Sequence, residues 1–395
     1  MELSKKIQAM ELSPIRKFVP YADAARAAGK KVYGLNIGQP DIKTPRAFFD
    51  AVKNFDQDVL AYANSQGIPE LLEALVGYYK RLGLSFEKKD LLVTTGGSEA
   101  ISMLMTALLD DDDEVIMAEP FYTNYKTFIS AGGKLVGIPT TAEEGYQYAV
   151  KEKIEAVITP KTKAICIINP GNPTGKVLTH DEMKLIVDIA LAHDLFIIAD
   201  EVYREFVYDG KTMDTFGAFP EAAQNVVIVD SISKRFSACG ARMGSIASKN
   251  EALMGNLMKL CQARLCSATL DQIGAAALYN MDPSYFNEIK AEYEHRRNVA
   301  VEALNEIEGI QYGVPEGAFY ITCKLPVDDA EKFLMFLLTE FDVNGETCMF
   351  APAGGFFTNP EAGKSDMRIA YVLKAEDMKA GINIIKEGIK AYNAR

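Results

Sequence analysis

A lysine follows closely on a run of β-branched residues in the segment VVIVDSISKRFSACGARMG, at positions 226–244. The first four residues, 226–229, are typical of a strand that is buried on both faces. Lys234 stands just beyond this strand, where an ammonium is poorly solvated and the neutral, nucleophilic amine is favoured. The hydroxyls of Ser231 and Ser233 and the guanidinium of Arg242 suit a phosphate. The segment indicates an amine beside an anion site, as an aldehyde phosphate cofactor requires; a solvated lysine at a strand end is the alternative.

Three other strand-like runs end in residues that could reach the same place. LLVTT is followed by Gly97 and Ser98, AICIIN by a Pro-rich connection that contains Asn172, and LFIIAD ends at Asp200. In open α/β sheets, ligands bind beyond the carboxyl ends of the strands. Backbone N–H groups at a helix start bind anions, and a carboxylate at a buried strand end is costly unless it is paired. Each of these three ends also has a simpler interpretation: a tight turn at Gly97 and Ser98, a plain connection around Asn172, and a helix N-cap at Asp200.

The composition of the chain excludes several classes of function. Its 395 residues carry a formal net charge of −12, which argues against nucleic acid or an anionic membrane as a partner. The first residues contain no apolar signal-peptide core, and no stretch of 18 apolar residues occurs. Six cysteines without CxxC pairs and three isolated histidines predict reduced thiols and no metal site. We therefore expect a cytoplasmic protein.

The alternation of strand-like and helical segments in the sequence predicts an α/β fold. Seven short apolar runs alternate with helical patterns from residue 91 onward, which indicates a mostly parallel seven-stranded sheet with helices on both faces. The last strand is expected to run antiparallel, because its connection from the preceding strand is short. The runs lie at 91–95, 114–119, 134–139, 164–169, 195–200, 226–230 and 245–248; the main helices are predicted at 45–55, 69–82, 98–109, 180–193, 252–278 and 283–308.

The chain is long enough for two domains. We expect an N-terminal arm over residues 1–40, helical and broken at Ser13-Pro14, that forms part of the small domain. The large, cofactor-binding domain is predicted over residues 41–285. The remaining residues, 286–395, mix short strands with helices and predict a smaller α+β domain.

Taken together and in order, the four strand-end motifs resemble one family. G-G-S, N-P-x-N-P-T-G, D-E-x-Y and S-x-S-K-x-x-S-x-x-G-x-R-x-G match the class I/II aminotransferases, which are pyridoxal-phosphate enzymes of the aspartate aminotransferase fold. The resemblance extends from about Ser13 to Arg368. It implies pyridoxal 5′-phosphate as the cofactor, and amino acids and 2-oxo acids as substrates.

The resemblance also implies roles for the catalytic residues. Lys234 would hold the cofactor covalently and carry the proton between the substrate Cα and the cofactor. Asp200 would keep the pyridine nitrogen protonated. Tyr203 and Asn172 would hydrogen-bond the phenolic oxygen of the ring, and Tyr122 would stack on the ring.

Binding of the phosphate and of the substrate is implied in the same way. The phosphate would be held by Gly97, Ser98, Ser231, Ser233 and Arg242. The substrate α-carboxylate would be held by Arg368, Asn172 and the backbone of Gly38. Tyr62 matches a tyrosine that reaches the phosphate of a partner subunit, which implies a homodimer with shared active sites.

The implied reaction is ping-pong transfer of an amino group between an L-amino acid and 2-oxoglutarate. Aspartate is the favoured donor, although Ser98 replaces a lysine that attracts the second carboxylate in one branch of the family. Arg264 is a candidate replacement from the partner subunit; a helix-surface arginine is the alternative. A carbon–sulfur lyase on the same fold is the rival function, and a pyridoxal-phosphate-binding regulator is a remote one.

Overall fold

A seven-stranded sheet forms the centre of the molecule in the computed structural model, which describes residues 1–10 and 12–395. Glu11, in the predicted N-terminal arm, lies outside the described residues. The order of the strands is β2-β8-β7-β6-β5-β3-β4. In chain order these strands are β2 Leu91–Thr94, β3 Glu114–Ala118, β4 Lys134–Ile138, β5 Thr162–Ile168, β6 Phe196–Asp200, β7 Val226–Ser231 and β8 Gly244–Ala247, and β1 Lys31–Gly34 precedes them.

Burial on both faces explains why these strands are apolar almost throughout. Along β7, Val226 and Ile228 belong to one hydrophobic core, whereas Val227 and Val229 belong to the core on the opposite face. Successive side chains of a strand point to opposite faces, so a doubly covered strand needs apolar residues at every position. The α/β class with helices on both faces is confirmed.

Strand β8 is the antiparallel member of the sheet. It pairs antiparallel with β2 and with β7, whereas the pairs formed among β3, β4, β5, β6 and β7 are parallel. The connection from β7 to β8 covers only residues 232–243. Its only α-helix is the four-residue Ile232–Arg235, whereas a parallel crossover usually carries a full helix across the face of the sheet, so this connection favours the antiparallel return. The sequence prediction for this strand is confirmed.

Helices surround the sheet close to their predicted positions, with one error. The predicted helix at 252–278 is two helices, because Leu265 has a φ of 80° and so leaves the helical region. The chain resumes a helix at Thr269. The helices are α1 Lys5–Ala9, α2 Val19–Ala27, α3 Arg46–Lys53, α4 Pro69–Arg81, α5 Gly96–Leu108, α6 Asn124–Ser130, α7 Lys151–Glu155, α8 His180–Ala192, α9 Ile232–Arg235, α10 Glu251–Arg264, α11 Thr269–Tyr279, α12 Tyr285–Leu304, α13 Ala330–Thr339 and α14 Ala375–Asn393.

A second, smaller group of strands is built from the two ends of the chain. An antiparallel sheet has the order β12-β13-β10-β9, and β1 pairs in parallel with β11. The N-terminal strand therefore joins the C-terminal part, which carries Arg368 on β13. These strands are β9 Gln311–Tyr312, β10 Tyr320–Lys324, β11 Glu346–Met349, β12 Ala351–Pro352 and β13 Asp366–Ala370.

Two further sequence expectations concern the cysteines and membrane segments. All six cysteines carry free thiols. Among the described residues, no helix combines the length and the apolar character that crossing a bilayer requires.

Candidate active site

A cavity of about 380 Å³ opens at the carboxyl edge of the large sheet. It collects residues from the ends of β2, β5, β6 and β7, from the N-terminal segment and from the small sheet. Of the predicted site residues, the following line it: Gly38, Gly97, Ser98, Tyr122, Asn172, Asp200, Tyr203, Ser231, Ser233, Lys234, Arg242 and Arg368.

Lys234 lies in the short helix α9, directly after β7. Its Nζ donates a hydrogen bond to the carbonyl oxygen of Gly38, at 2.9 Å. Behind it, the fully buried guanidinium of Arg235 contacts the carboxylate of Asp230, with Nη2 and Oδ1 2.5 Å apart. Removing one partner of such a buried pair would be strongly destabilising. The pair therefore fixes α9 against the sheet and leaves the amine of Lys234 on the cavity side.

An anion cradle lies beside the lysine. The helix α5 begins at Gly96, so the N–H groups of Gly97 and Ser98 stand at its N-terminus, where the helix dipole favours negative charge. The hydroxyls of Ser231 and Ser233 lie 2.7 Å apart in the same cavity wall. The guanidinium of Arg242 completes the group, and its Nη1 donates to the carbonyl of Cys239 at 3.1 Å.

Glycine at position 96 is required for this cradle to form. Gly96 has a φ of 77°, and a Cβ built there would lie only 2.5 Å from Nη2 of Arg242. A Cβ at Gly244 would lie 2.9 Å from the backbone nitrogen of Gly97. Any side chain at either position would push the arginine or the helix start away from the cavity.

Asp200 places a carboxylate at the carboxyl end of β6. Tyr125 donates its hydroxyl to Oδ2 at 2.6 Å, and the backbone N–H of Val202 donates to Oδ1 at 3.2 Å. Burial raises the pKa of Asp200 to about 6, although these two hydrogen bonds and the charge of Lys234 act to lower it. A buried carboxylate of this kind is suited to pairing with a cationic ring nitrogen.

A chain of hydrogen bonds connects the two sheets across the cavity. Arg368 donates from Nη1 to Oδ1 of Asn172 at 3.2 Å and from Nη2 to the carbonyl of Asn36 at 2.6 Å. The amide of Asn172 donates to the Tyr203 hydroxyl at 3.4 Å, and that hydroxyl lies 2.9 Å from the hydroxyl of Tyr320. The Nε of Arg368 has no hydrogen-bond partner among the described residues. The buried guanidinium thus retains donor capacity for a ligand carboxylate.

Aromatic side chains form the rest of the cavity wall. Burial raises the pKa of the Tyr122 phenol, while the nearby charges of Arg368, Lys234 and Arg16 lower it. Burial also raises the pKa of Tyr203 well above its ordinary value. Both phenols therefore remain protonated at neutral pH and can act as hydrogen-bond donors.

Two predicted residues lie outside this cavity. Tyr62 is 80% exposed on the surface. Arg264 is engaged within its own chain: Nη1 contacts Oε2 of Glu99 at 2.8 Å and Oγ of Ser267 at 2.6 Å, and Nη2 donates to the carbonyl of Ser65 at 3.1 Å. These contacts brace the break between α10 and α11 and provide a structural role for Arg264.

Sequence reasoning missed four residues that line or support the cavity: Arg16, Asn36, Tyr125 and Tyr320. The hydroxyls of Tyr203 and Tyr320 meet although 117 positions separate them, and Tyr125 and Asp200 are 75 positions apart. Tyr125 carried a weak signal, since it stands only three residues after the predicted site residue Tyr122. Arg16 and Asn36 belong to none of the four motifs, so the sequence gave no signal for them.

The arrangement brings together an amine, a carboxylate and two anion-binding arginines within one cavity. An amine can attack a carbonyl or transfer a proton, and a carboxylate can hold a ring nitrogen. The cradle around Arg242 suits a phosphate, and the guanidinium of Arg368 suits a carboxylate. The site can therefore hold a phosphorylated aldehyde together with a carboxylic acid.

Comparison with known proteins gives consistent similarities over the whole chain. The family model described as aminotransferase class I and II matches residues 30–385. An aspartate aminotransferase from Bacillus subtilis is 29% identical, covering 100% of both chains, and aromatic-amino-acid aminotransferase 2 from Thermococcus litoralis is 30% identical, covering 99% of each. The solved structure of an alanine aminotransferase from Pyrococcus furiosus has a TM-score of 0.90 and 29% identity, covering 99% of this chain and 100% of that one.

Proposed function

This chain belongs to the class I and II aminotransferases, and we propose that it transfers the amino group of an L-amino acid to 2-oxoglutarate in a ping-pong reaction that depends on pyridoxal phosphate. One observation carries the proposal. The amine of Lys234, the carboxylate of Asp200 and the guanidinium groups of Arg242 and Arg368 line a single cavity. Each of these groups matches a different part of the proposed cofactor and substrate.

The residues of the cavity fit pyridoxal phosphate. The cradle at the start of α5, in which a side chain at Gly96 would strike Arg242, is shaped for the phosphate. Asp200 would face the pyridine nitrogen, and Tyr203 with Asn172 would donate to the phenolic oxygen. When bound, this cofactor supplies an electrophilic carbon for amines and a ring that accepts the electron pair left when the substrate Cα loses a proton.

The remaining steps, which are attachment of the cofactor, proton transfer and orientation of the substrate, would fall to side chains of the protein. The amine of Lys234 would attach the cofactor and, once displaced by the substrate amine, would remove and return the Cα proton. Arg368 would hold the α-carboxylate so that the Cα–H bond points toward Lys234. Tyr122 would pack on the ring and exclude water. The charge of Asp200 would keep the ring nitrogen protonated, which strengthens the electron-withdrawing effect of the ring.

The identity of the donor is the finer part of the proposal. An α-carboxylate is common to every amino acid, so Arg368 does not distinguish among them. Glutamate with 2-oxoglutarate is proposed as one pair, with aspartate as the favoured other donor and alanine or an aromatic amino acid as alternatives. The relatives support a range of this kind, because their names specify aspartate, aromatic amino acids and alanine.

A carbon–sulfur lyase on the same fold is the second candidate function. Such a lyase would use the same lysine to remove the Cα proton but would release the β-substituent and would not need an oxo acid. A pyridoxal-phosphate-binding regulator is the remote alternative. We further propose that the protein is a homodimer with shared active sites. We also propose a cytoplasmic location, which the six free thiols support.

A half-reaction screen tests the function directly. The cofactor-loaded protein is mixed with single amino acids in the absence of an oxo acid, and its absorbance is followed. An aminotransferase is expected to convert stoichiometrically to the amine form of the cofactor and to recover when 2-oxoglutarate is added. Release of pyruvate and ammonia from a β-substituted amino acid without conversion of the cofactor would instead identify a lyase.

The screen also ranks the donors. The values of kcat/KM for aspartate, alanine and phenylalanine are compared under the same conditions. A preference of roughly 100-fold for a neutral donor, about 2.7 kcal/mol in transition-state free energy, would remove aspartate as the favoured substrate.

A further inference from the structure

Tyr320 brings a phenol from the small sheet to the wall of the cavity. It is the first residue of β10, and it lines the cavity together with the predicted site residues. Only 3% of its surface is exposed. Its hydroxyl lies 2.9 Å from the hydroxyl of Tyr203, and this is the one hydrogen bond that the Tyr320 hydroxyl forms within the described part of the chain. Its single polar partner is therefore a predicted catalytic residue.

Three packing contacts hold the Tyr320 side chain in this position. The guanidinium carbon of Arg368 lies 4.7 Å from the centre of the Tyr320 ring. The ring of Tyr203 stands edge-on to it, with the ring centres 5.6 Å apart and the ring planes at 88°. A Cβ built at Gly38 would lie only 2.0 Å from the Tyr320 hydroxyl oxygen, so the phenol fills the space that a side chain at Gly38 would need. The hydroxyl is thus kept within reach of Tyr203.

The number of protons around the Tyr203 hydroxyl decides the direction of this hydrogen bond. A phenol carries one proton that it can donate. The amide of Asn172 donates to the Tyr203 hydroxyl at 3.4 Å, whereas either phenol can be the donor in the contact between Tyr203 and Tyr320. In the proposed function, Tyr203 donates its only proton to the phenolic oxygen of the cofactor. The contact can then persist as a hydrogen bond only if Tyr320 is the donor.

We propose that Tyr320 is a positioning residue that donates its hydroxyl proton to Tyr203 and thereby strengthens the hydrogen bond from Tyr203 to the phenolic oxygen of the cofactor. This inference rests on the proposed function. Hydrogen bonds in a chain polarise one another, so a hydroxyl that accepts a bond becomes a better donor. A better donor stabilises the ionised phenolic oxygen, which then holds the proton on the nearby nitrogen of Lys234 less tightly. Tyr320 would therefore lower the pH at which the attached cofactor loses that proton.

An absorbance titration of the cofactor-loaded protein tests this effect. The absorbance of the cofactor attached to Lys234 is followed with pH, and the midpoint gives an apparent pKa for the wild type, Tyr320→Phe and the control Tyr371→Phe. The control removes a buried hydroxyl that donates to the carbonyl of Ala318 at 3.1 Å and does not line the cavity. Tyr320→Phe is expected to raise the apparent pKa by about 0.5–1, the equivalent of one neutral hydrogen bond. Tyr371→Phe should leave it unchanged.

A double variant separates an action through Tyr203 from a direct effect of Tyr320. Tyr203→Phe alone should raise the apparent pKa by about 1–2, the equivalent of one hydrogen bond to a charged group. Addition of Tyr320→Phe to this variant should change the value by less than about 0.3, because no hydroxyl remains at position 203 to be polarised. An unchanged apparent pKa in Tyr320→Phe, or an equal increase with and without the Tyr203 hydroxyl, would overturn the inference.

The same proteins distinguish a failure of the inference from a failure of the proposed function. If the loaded wild type transfers no amino group but its apparent pKa depends on Tyr320 through Tyr203, the proposed function is wrong and the role of Tyr320 stands. Amino transfer by the wild type, together with an unchanged apparent pKa in Tyr320→Phe, would leave the proposed function intact and remove this role. A wild type that holds no cofactor would overturn both.

Discussion

Lys234 is the residue on which the proposed chemistry depends. Lys234→Ala is expected to abolish turnover and to prevent fixation of the cofactor by borohydride, because no other amine lines the cavity among the described residues. Non-covalent binding of the cofactor should survive through Arg242 and the start of α5. Absorbance spectroscopy with borohydride reduction measures both properties. Lys259→Ala, at an exposed position on α10, is the matched control and should behave as the wild type.

Cofactor that is still fixed by borohydride in Lys234→Ala would show that another amine is the attachment point. Loss of all cofactor binding in this variant would show that the cradle does not hold the phosphate.

Asp200 is a residue whose charge destabilises the folded protein. Its pKa is raised from 3.8 to about 6, so the folded state binds the proton more tightly than the unfolded state does. The contribution of this group to stability is therefore present below about pH 4 and is lost as the pH rises through about 6. A buried carboxylate whose ionisation lowers the stability of the folded protein is typical of functional sites that require its charge.

Asp200→Asn tests this cost in protein freed of cofactor. The substitution should raise the free energy of unfolding relative to the wild type by about 2–3 kcal/mol more at pH 8 than at pH 4. Urea unfolding at the two pH values gives the comparison. The loaded variant should also exchange the substrate Cα proton far more slowly. A pH-independent difference in stability, or a near-normal rate of exchange, would contradict the assignment.

Secondary-structure elements with a clear hydrophobic pattern could be predicted from the sequence. Elements whose bounds depend on contacts between distant residues could not. The strands were evident because residues such as Val226 to Val229 are buried on both faces, and the polar residues at their ends followed from topology. The break at Leu265 was missed, since its positive φ is held by contacts of Arg264 with Glu99 and Ser65 from distant elements. No local pattern encodes these contacts.

The predicted site residues were those with a motif around them. Lys234 and Asp200 follow strands and stand in recognisable patterns, whereas Tyr320 reaches the site from β10 in the other sheet. Arg16 gave no signal because its place in the cavity wall depends on how the neighbouring Ile15 packs on Phe356. The residues that sequence reasoning missed are therefore contributed mainly by elements outside the large sheet.

At the scale of elements, the start of α5 depends on a glycine. Gly96→Ala is expected to weaken cofactor binding by at least about 10-fold, because the new Cβ would lie 2.5 Å from Arg242 and the backbone has a φ of 77°. The dissociation constant of the cofactor, measured by fluorescence titration, gives the effect. Gly255→Ala on α10 is the control: nothing lies within 4 Å of the added Cβ, so binding should not change and the helix should gain slightly in stability.

Equal cofactor affinity in the two glycine variants would rule out the cradle as the phosphate site. A loss of stability in Gly96→Ala with unchanged affinity would assign the glycine a purely structural role.

The whole molecule forms its site where separate parts of the chain meet. The large sheet supplies Lys234 and Asp200, the small sheet supplies Arg368 and Tyr320, and the N-terminal segment supplies Arg16. Arg368 also binds the carbonyl of Asn36, next to the strand that joins β11. Movement of the small sheet relative to the large one would therefore shift Arg368 without displacing the lysine.

The remaining prediction concerns assembly. Tyr62 is 80% exposed, and the exposed apolar residues Val59 and Leu60 lie in the same loop. An apolar loop of this kind is suited to an interface. We expect a homodimer in which Tyr62 reaches the phosphate site of the partner subunit. Tyr62→Phe should lower the affinity for the cofactor by about 10- to 100-fold, the value of one hydrogen bond to a charged group, without changing the mass measured by sedimentation.

Subunit mixing separates a contact across the interface from an effect within one chain. Tyr62→Phe supplies an intact Lys234, and Lys234→Ala supplies an intact Tyr62, so a mixed dimer contains one site with both native residues. With random exchange, about half of the dimers are mixed, and about a quarter of all sites should regain native cofactor affinity. Absence of this tight-binding fraction after verified exchange would place the action of Tyr62 within its own subunit, and a monomer with full activity would exclude shared sites altogether.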